Sequence, residues 1–488
     1  MEENMYYKKL SISVLYAVLF TVCLYQAPHG ITYPLFMIIT VSVYGAMMRM
    51  LGEEVKNSSL VLMAGIVILS VHVATTGSIW LILIDKALIL MLLFMLFLHN
   101  QYNDRSWDVT RYCEAMLDFT FTTFSYLPNP VTEFAAIRRR KAETEEVHGS
   151  DKKDRKESPV RYVLIGLILS IPLLLLVVPL LASSDAVFSE ALLKMTRNVF
   201  EFQVDEGLLI ILLMLIGMTI GAFALFTCFS KKIDRLCKEP RDERTRNPLI
   251  AITMLSVALL VYGFYCVIQI YYLFLGEGKL PEGYTYASYV HEGFYELVFV
   301  CLINLVLVLF CRKFSKDNGV LRALLAGICV CTYIMLGSSL YRMILYIEAY
   351  GLTFLRAFVL WALAVIALVM AAALALVFKA SFPFVRCTAA AAVVTWAVFA
   401  FSYPDRWIAE YNIKNGYDRE YTLNDLSSDA VPVIVDLWDE AAAKDVSYSA
   451  EAFERAHKKD IRKKDVRNFN LSEYWARKAM ERLKESHN

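Results

Sequence analysis

This chain is short of the local patterns that usually announce an activity. It has no G-x-x-x-x-G-K-[ST] loop and no G-x-G-x-x-G after a strand, so no phosphate-cradling fingerprint is written into it. It has no G-x-S-x-G elbow and no H-E-x-x-H pair, so covalent and zinc catalysis have no motif behind them. Net charge is nearly absent: 49 Lys and Arg against 48 Asp and Glu leave +1, and the overall balance implies no nucleic-acid partner. No fixed-period repeat is evident. Of the ten cysteines none falls in the polar tail, residues 403–488, which argues against a disulfide framework. Cys329 and Cys331 stand two apart in a helical run, point to different faces and read as small core residues.

What the chain has in excess is apolar sequence. Of its 488 residues 58% are hydrophobic, where soluble domains run near 45–50%. Mean hydropathy is +0.48, and the excess sits in long runs. A helix needs about 20 residues to cross a hydrocarbon layer of about 30 Å. The runs at 10–25, 31–50, 58–77, 79–98, 161–182, 207–229, 248–275, 291–311, 320–341, 353–378 and 384–402 meet or approach that length. The expected fold is all-α: a polytopic integral membrane helix bundle of about 11 transmembrane helices with a small helical C-terminal appendage. Lys8 and Lys9 precede the first run and no small-x-small cleavage site follows it, so the first span is read as retained.

Lysine and arginine set the orientation. With the N-terminus inside, the inside connections carry 28 of them and the outside connections five, namely Lys194, Arg197, Lys279, Arg342 and Arg356. An odd number of spans then places the tail outside. Four regions result: a four-span region over 1–98, a cytoplasmic amphipathic and charged loop over 99–160, a seven-span core over 161–402 and the tail, 403–488. Within the loop, 104–127 reads as an aromatic, amphipathic stretch on the inner surface, and 138–158 as a disordered loop of mixed charge. The partner these features predict is the lipid bilayer, with anionic lipid at the basic cytoplasmic loops. In the tail, 428–443, 449–464 and 470–486 have helical patterns, with Asn424 and Ser427 available as N-caps and Pro432 early in its helix.

Polar residues at span edges gather on one side. Asp85 and Lys86 sit about two turns below the outer end of the fourth span, and Asp185 follows the fifth. His291, Glu292 and Glu296 open the eighth. Arg342 closes the ninth, and Glu348 and Arg356 flank the turn into the tenth. Charge near a bilayer is costly unless paired or used, so Asp185, His291, Glu292, Glu296, Arg342, Glu348 and Arg356 form the candidate binding cluster. Depth matching predicts that Arg342 pairs with Glu292 and Glu296, and that Glu348 bridges to Arg356. Val320–Tyr350 reads as one helix that overshoots the hydrocarbon, with Gly351 as its terminator and Thr353 capping the next. His291 alone predicts no metal, and no motif asks for a cofactor. Tyrosines at the same level, Tyr271, Tyr341, Tyr346 and Tyr350 among them, suit an interfacial aromatic belt.

Three passages carry a family likeness: Leu180–Phe188, Tyr284–Leu297 and Ser339–Arg356, with Ala409–Asn412 and Leu426–Pro432 in the tail. Over roughly 160–435 the chain resembles the bacterial membrane-protein family labelled domain of unknown function 4173, related to 4153. The resemblance implies a multi-span protein of the bacterial cytoplasmic membrane, and a basic residue where this chain has His291. It brings no agreed activity and no catalytic residues. Three functions remain open: a non-enzymatic envelope sensor, scaffold or regulator working through the outer cluster and tail; a transporter or permease-like protein using that cluster; and an outer-leaflet enzyme acting on a lipid-linked substrate.

Overall fold

The structure, a computed structural model, describes residues 2–146, 170, 174, 177, 181, 188, 206–238, 244–271, 294–417, 419–438, 453, 457 and 466–487. Among them there is no strand, and helix follows helix: α1 (Glu2–Leu24), α2 (Thr32–Met50), α3 (Asn57–Val73), α4 (Ile79–Gln101), α5 (Val109–Ser125), α6 (Asn129–Glu146) and α7 (Glu206–Lys231). After them come α8 (Pro248–Gln269), α9 (Phe294–Phe314), α10 (Gly319–Tyr350), α11 (Phe354–Phe378) and α12 (Phe384–Phe401). The tail adds α13 (Pro404–Asn415), α14 (Arg419–Asn424), α15 (Val431–Asp436) and α16 (Leu471–His487). Nine of the described helices, α1, α2, α4 and α7–α12, are long and apolar enough to cross a membrane. The third expected span, 58–77, appears as α3, which is apolar but has 17 residues. The fifth, 161–182, lies outside the described residues but for isolated positions.

Helix ends follow local chemistry. The Asn247 side chain accepts from Leu249 N at 3.0 Å with Pro248 in the first turn, and Asn318 caps α10 through Val320 N at 2.8 Å. α10 runs 32 residues, about 48 Å. It stops at Gly351, whose φ of 77° suits glycine, and Thr353 Oγ1 then accepts from Arg356 N at 3.4 Å, as the sequence predicts for both. Some boundaries differ. α1 begins at Glu2 rather than 10. Residues 138–146, expected to be disordered, continue α6, and 147–158 lie outside the described residues. The tail has two helices the patterns did not suggest, α13 and α14, while 449–464 is described only at Phe453 and His457.

The chain divides into two units. One comprises Met1–Tyr25, Ile39–Glu54 and Leu117–Ile233. There α1 lies along α7, with α6 against both. Tyr6 packs on Phe134 and Phe223 and donates to Pro130 O at 2.9 Å, which extends α1 beyond its apolar run. Lys9 is 8% exposed, with its amine over the Phe223 and Phe226 rings and 3.8 Å from Glu133.

The other unit comprises Gln26–Ile38, Val55–Met116 and Asp234–Asn488. α3 pairs with α4, and α8, α9 and α11 surround α10. Two apolar cores are formed by its described residues. Leu255, Val308, Leu325, Ile328, Met370 and Val377 form one between α8, α9, α10 and α11. The other joins the far ends of α9–α11, through Phe294, Met343, Ile347 and Leu352, to Ile408, Val431, Ile434, Phe453, Met480 and Leu483 of the tail. Among the described residues the apolar faces of the tail complete that of the bundle.

Candidate functional site

The α10–α11 turn leaves backbone groups that neither helix can satisfy. The tail supplies their partners. The Asn412 side chain accepts from Leu352 N and donates to Leu352 O, both at 2.8 Å, so one amide mimics a strand pairing with the turn. Tyr421 Oη accepts from Phe354 N at 2.9 Å, and Tyr417 Oη donates to Glu348 O at 2.6 Å. Asn412 is 1% exposed, so losing its amide would leave a buried N–H and C=O without partners.

A second set of contacts ties the tail to the α3–α4 turn. The Asp429 carboxylate accepts from Thr76 Oγ1 at 2.6 Å and Gly77 N at 3.1 Å. Asn470 Nδ2 donates to Thr76 O at 2.8 Å, and Leu471 N to Ala74 O at 3.1 Å. These contacts explain why α3 stops at Val73 instead of continuing to 77: the last residues of the apolar run serve as a receptor for the tail. Gly77 lies so close to Ser428 that a Cβ there would overlap its Oγ. Behind this junction Asp405, 3% exposed, accepts from Ser427 Oγ at 2.5 Å. Burial pushes the Asp405 carboxyl up to about 6, against the pull of the Ser427 hydrogen bond.

Deeper in the same unit, His72 and Asp85 are both fully buried. His72 Nδ1 lies 2.6 Å from Asp85 Oδ2, and Nε2 lies 3.0 Å from Ala400 O. Trp396 Nε1 donates to Asp85 Oδ1 at 2.8 Å. Asp85 and Ala400 O thus give both ring nitrogens a partner inside the apolar layer. The arrangement pins α3, α4 and α12 together.

Only part of the predicted cluster falls among the described residues. His291, Glu292 and Asp185 lie outside the described residues. Glu296 is exposed on the first turn of α9, Arg342 is buried on α10 and Glu348 is exposed near its end. Among the described residues no ion pair joins any two of Glu296, Arg342, Glu348 and Arg356. The Glu348–Arg356 bridge is replaced by a cap. Arg356 Nη1 donates to Tyr350 O at 3.0 Å and to Gly351 O, and its guanidinium lies 4.2 Å from the Tyr346 ring centroid. The carbonyl end of α10 holds fixed negative partial charge within reach, whereas Glu348 points into solvent. Asp405, His72 and Trp396 were not singled out from the sequence, and Asn412 and Asp429 appeared only within the passages that carry the family likeness. The signals present were a histidine inside an apolar run and the Ser-Ser-Asp of 427–429, and neither names a partner.

These helices and their buried polar ties define an all-α multi-pass membrane protein. Residues 63–437 match the family described as a domain of unknown function (DUF4153), and the chain belongs to that family. The match starts well before residue 160 and takes in α3 from residue 63, α4 and the tail through α15; it is to 4153, and the likeness to 4173 rests on the quoted passages alone. No curated protein and no solved structure matches the chain.

Proposed function

We propose that this is a sensor, scaffold or regulator of the bacterial cell envelope, embedded in the cytoplasmic membrane, in which an extracytoplasmic tail and the membrane helices act as one coupled unit. The observation that carries the reading is the Asn412 clamp on Leu352, reinforced by Asp429 on the α3–α4 turn. A partner that moves the tail moves the ends of α3, α4, α10 and α11 with it, because buried hydrogen bonds of this kind have two states, made and broken. The basic segment Arg138–Lys141 of α6 meets anionic lipid on the inner side.

Complementation in the host tests the coupling. Asn412→Ala breaks one tie and Gly77→Ala wedges the other. Each variant should reach the membrane at normal level, yet fail to restore the envelope phenotype of a deletion strain. Full restoration by a chain ending after Phe401 would overturn the reading, since the tail would then be dispensable.

A further inference from the structure

At the other end of α4, far from the tail, three residues of common catalytic type stand in a line. Ser58 Oγ is 2.6 Å from His99 Nε2, and His99 Nδ1 is 2.9 Å from Asp104 Oδ1. Ser58 is exposed, His99 is 8% exposed and Asp104 is 2% exposed, so the hydroxyl meets solvent and the carboxylate is sheltered. This is the order of exposure that a nucleophile, a base and an orienting acid need.

The surroundings fix the line. Asn100, 5% exposed, accepts from Lys56 N and from Ser59 Oγ, both at 3.0 Å, and so holds the first turn of α3 against the last turn of α4. Lys56 Nζ donates to Tyr102 O at 3.1 Å and to His99 O. Asp104 accepts further hydrogen bonds from Tyr112 Oη and from Arg386, whose Nε is 3.3 Å away. Burial alone would raise the Asp104 carboxyl; the bonds from His99, Tyr112 and Arg386 outweigh it and bring it down to about 2, so it is ionised. An ionised acceptor fixes the proton on Nδ1 and leaves Nε2 to accept the Ser58 proton. Ser58 is in the first turn of α3, where backbone N–H groups have no intrahelical acceptor and the helix end favours negative charge. Exposed Leu60 and Val61 continue from it along the apolar face of the helix.

We propose that Ser58, His99 and Asp104 form a nucleophilic acyl-transfer site that hydrolyses carboxylic esters at the membrane boundary. Ser58 Oγ attacks the ester carbonyl carbon while its proton passes to His99 Nε2. The bond from the carbonyl carbon to the alcohol oxygen breaks, and His99 returns the proton to the leaving alkoxide. Water then attacks the acyl-Ser58 ester, with His99 again taking a proton. The acid departs, the proton goes back to Ser58 Oγ, and ester plus water has become acid plus alcohol. The exposed apolar face beside Ser58 suits an acyl chain, whether from a lipid or from a dissolved ester. This site shares no residue with the tail contacts and stands independently of the envelope reading.

The full chain in lipid nanodiscs, treated with a fluorophosphonate probe and digested, tests it. Label should be found on Ser58, disappear in Ser58→Ala and fall by about 10³-fold in His99→Gln. Turnover of p-nitrophenyl butyrate against a phospholipid in vesicles then separates the two ester sources. Label absent from Ser58 in folded protein, or as fast in His99→Gln as in the parent, overturns the catalytic site. Labelling without turnover of either ester overturns the ester assignment.

Discussion

α4 contributes one member to a histidine–aspartate pair near each of its ends, and the two pairs are built in opposite ways. Asp85, in the second turn, holds His72 where both members are fully buried. His99, 14 residues and about 21 Å further along, holds Asp104 and offers its other nitrogen to an exposed hydroxyl. The third partner makes the difference. Ala400 O can only accept, so it uses up His72 Nε2 and closes the pair. Ser58 Oγ can give up its proton, so it leaves His99 with chemistry to do. The same two residue types therefore serve as a rivet in one place and as a candidate base in the other, decided by one neighbour and by access to water.

The largest stability effect should come from breaking the closed pair. Asp85→Ala leaves the buried His72 Nδ1 and Trp396 Nε1 without their partner, and a loss of about 3–5 kcal/mol is expected in thermal unfolding of the detergent-solubilised chain. His72→Leu with Asp85→Leu should recover much of that loss; equal losses in the single and double variants would break the comparison. Next comes the tail junction. Asp405 has its carboxyl raised to about 6 from about 3.9 unfolded, so its contribution is fully present below pH 4 and is lost as pH rises through 6. Asp405→Asn should remove this dependence and gain about 3 kcal/mol at pH 7, read as a melting temperature that no longer falls between pH 4 and 7. The smallest effect belongs to the open pair: Ser58→Ala should change stability by no more than about 0.5 kcal/mol, because the hydroxyl is exposed. A loss of several kcal/mol there would make the open pair a second rivet.

The α10–α11 hairpin was legible in detail. Its overlong helix, the stop at Gly351 and the start at Thr353 all depend on residues within a turn of the feature they specify. That Arg356 caps α10 instead of pairing with Glu348 was not legible, because sequence shows charges and hides the free carbonyls that compete for them. His72 offered a signal, a histidine in an apolar run, but its partner Ala400 O, like the Trp396 indole that bonds Asp85, lies on α12, more than 300 residues away. The Ser58 line had no local motif at all. Its serine and histidine are 41 residues apart, and the Asn100 contacts between two helix ends bring them together.

By itself the sequence determined that this chain is a bundle of membrane-crossing helices, and where most of them begin and end. Hydropathy acts along one segment, and caps act within one turn, so both are complete before any helix meets another. Only the tertiary structure decided which polar group meets which. In an apolar interior a buried donor or acceptor must find a partner at its own depth, and packing alone determines whether that partner is a carbonyl, a carboxylate or an exposed hydroxyl.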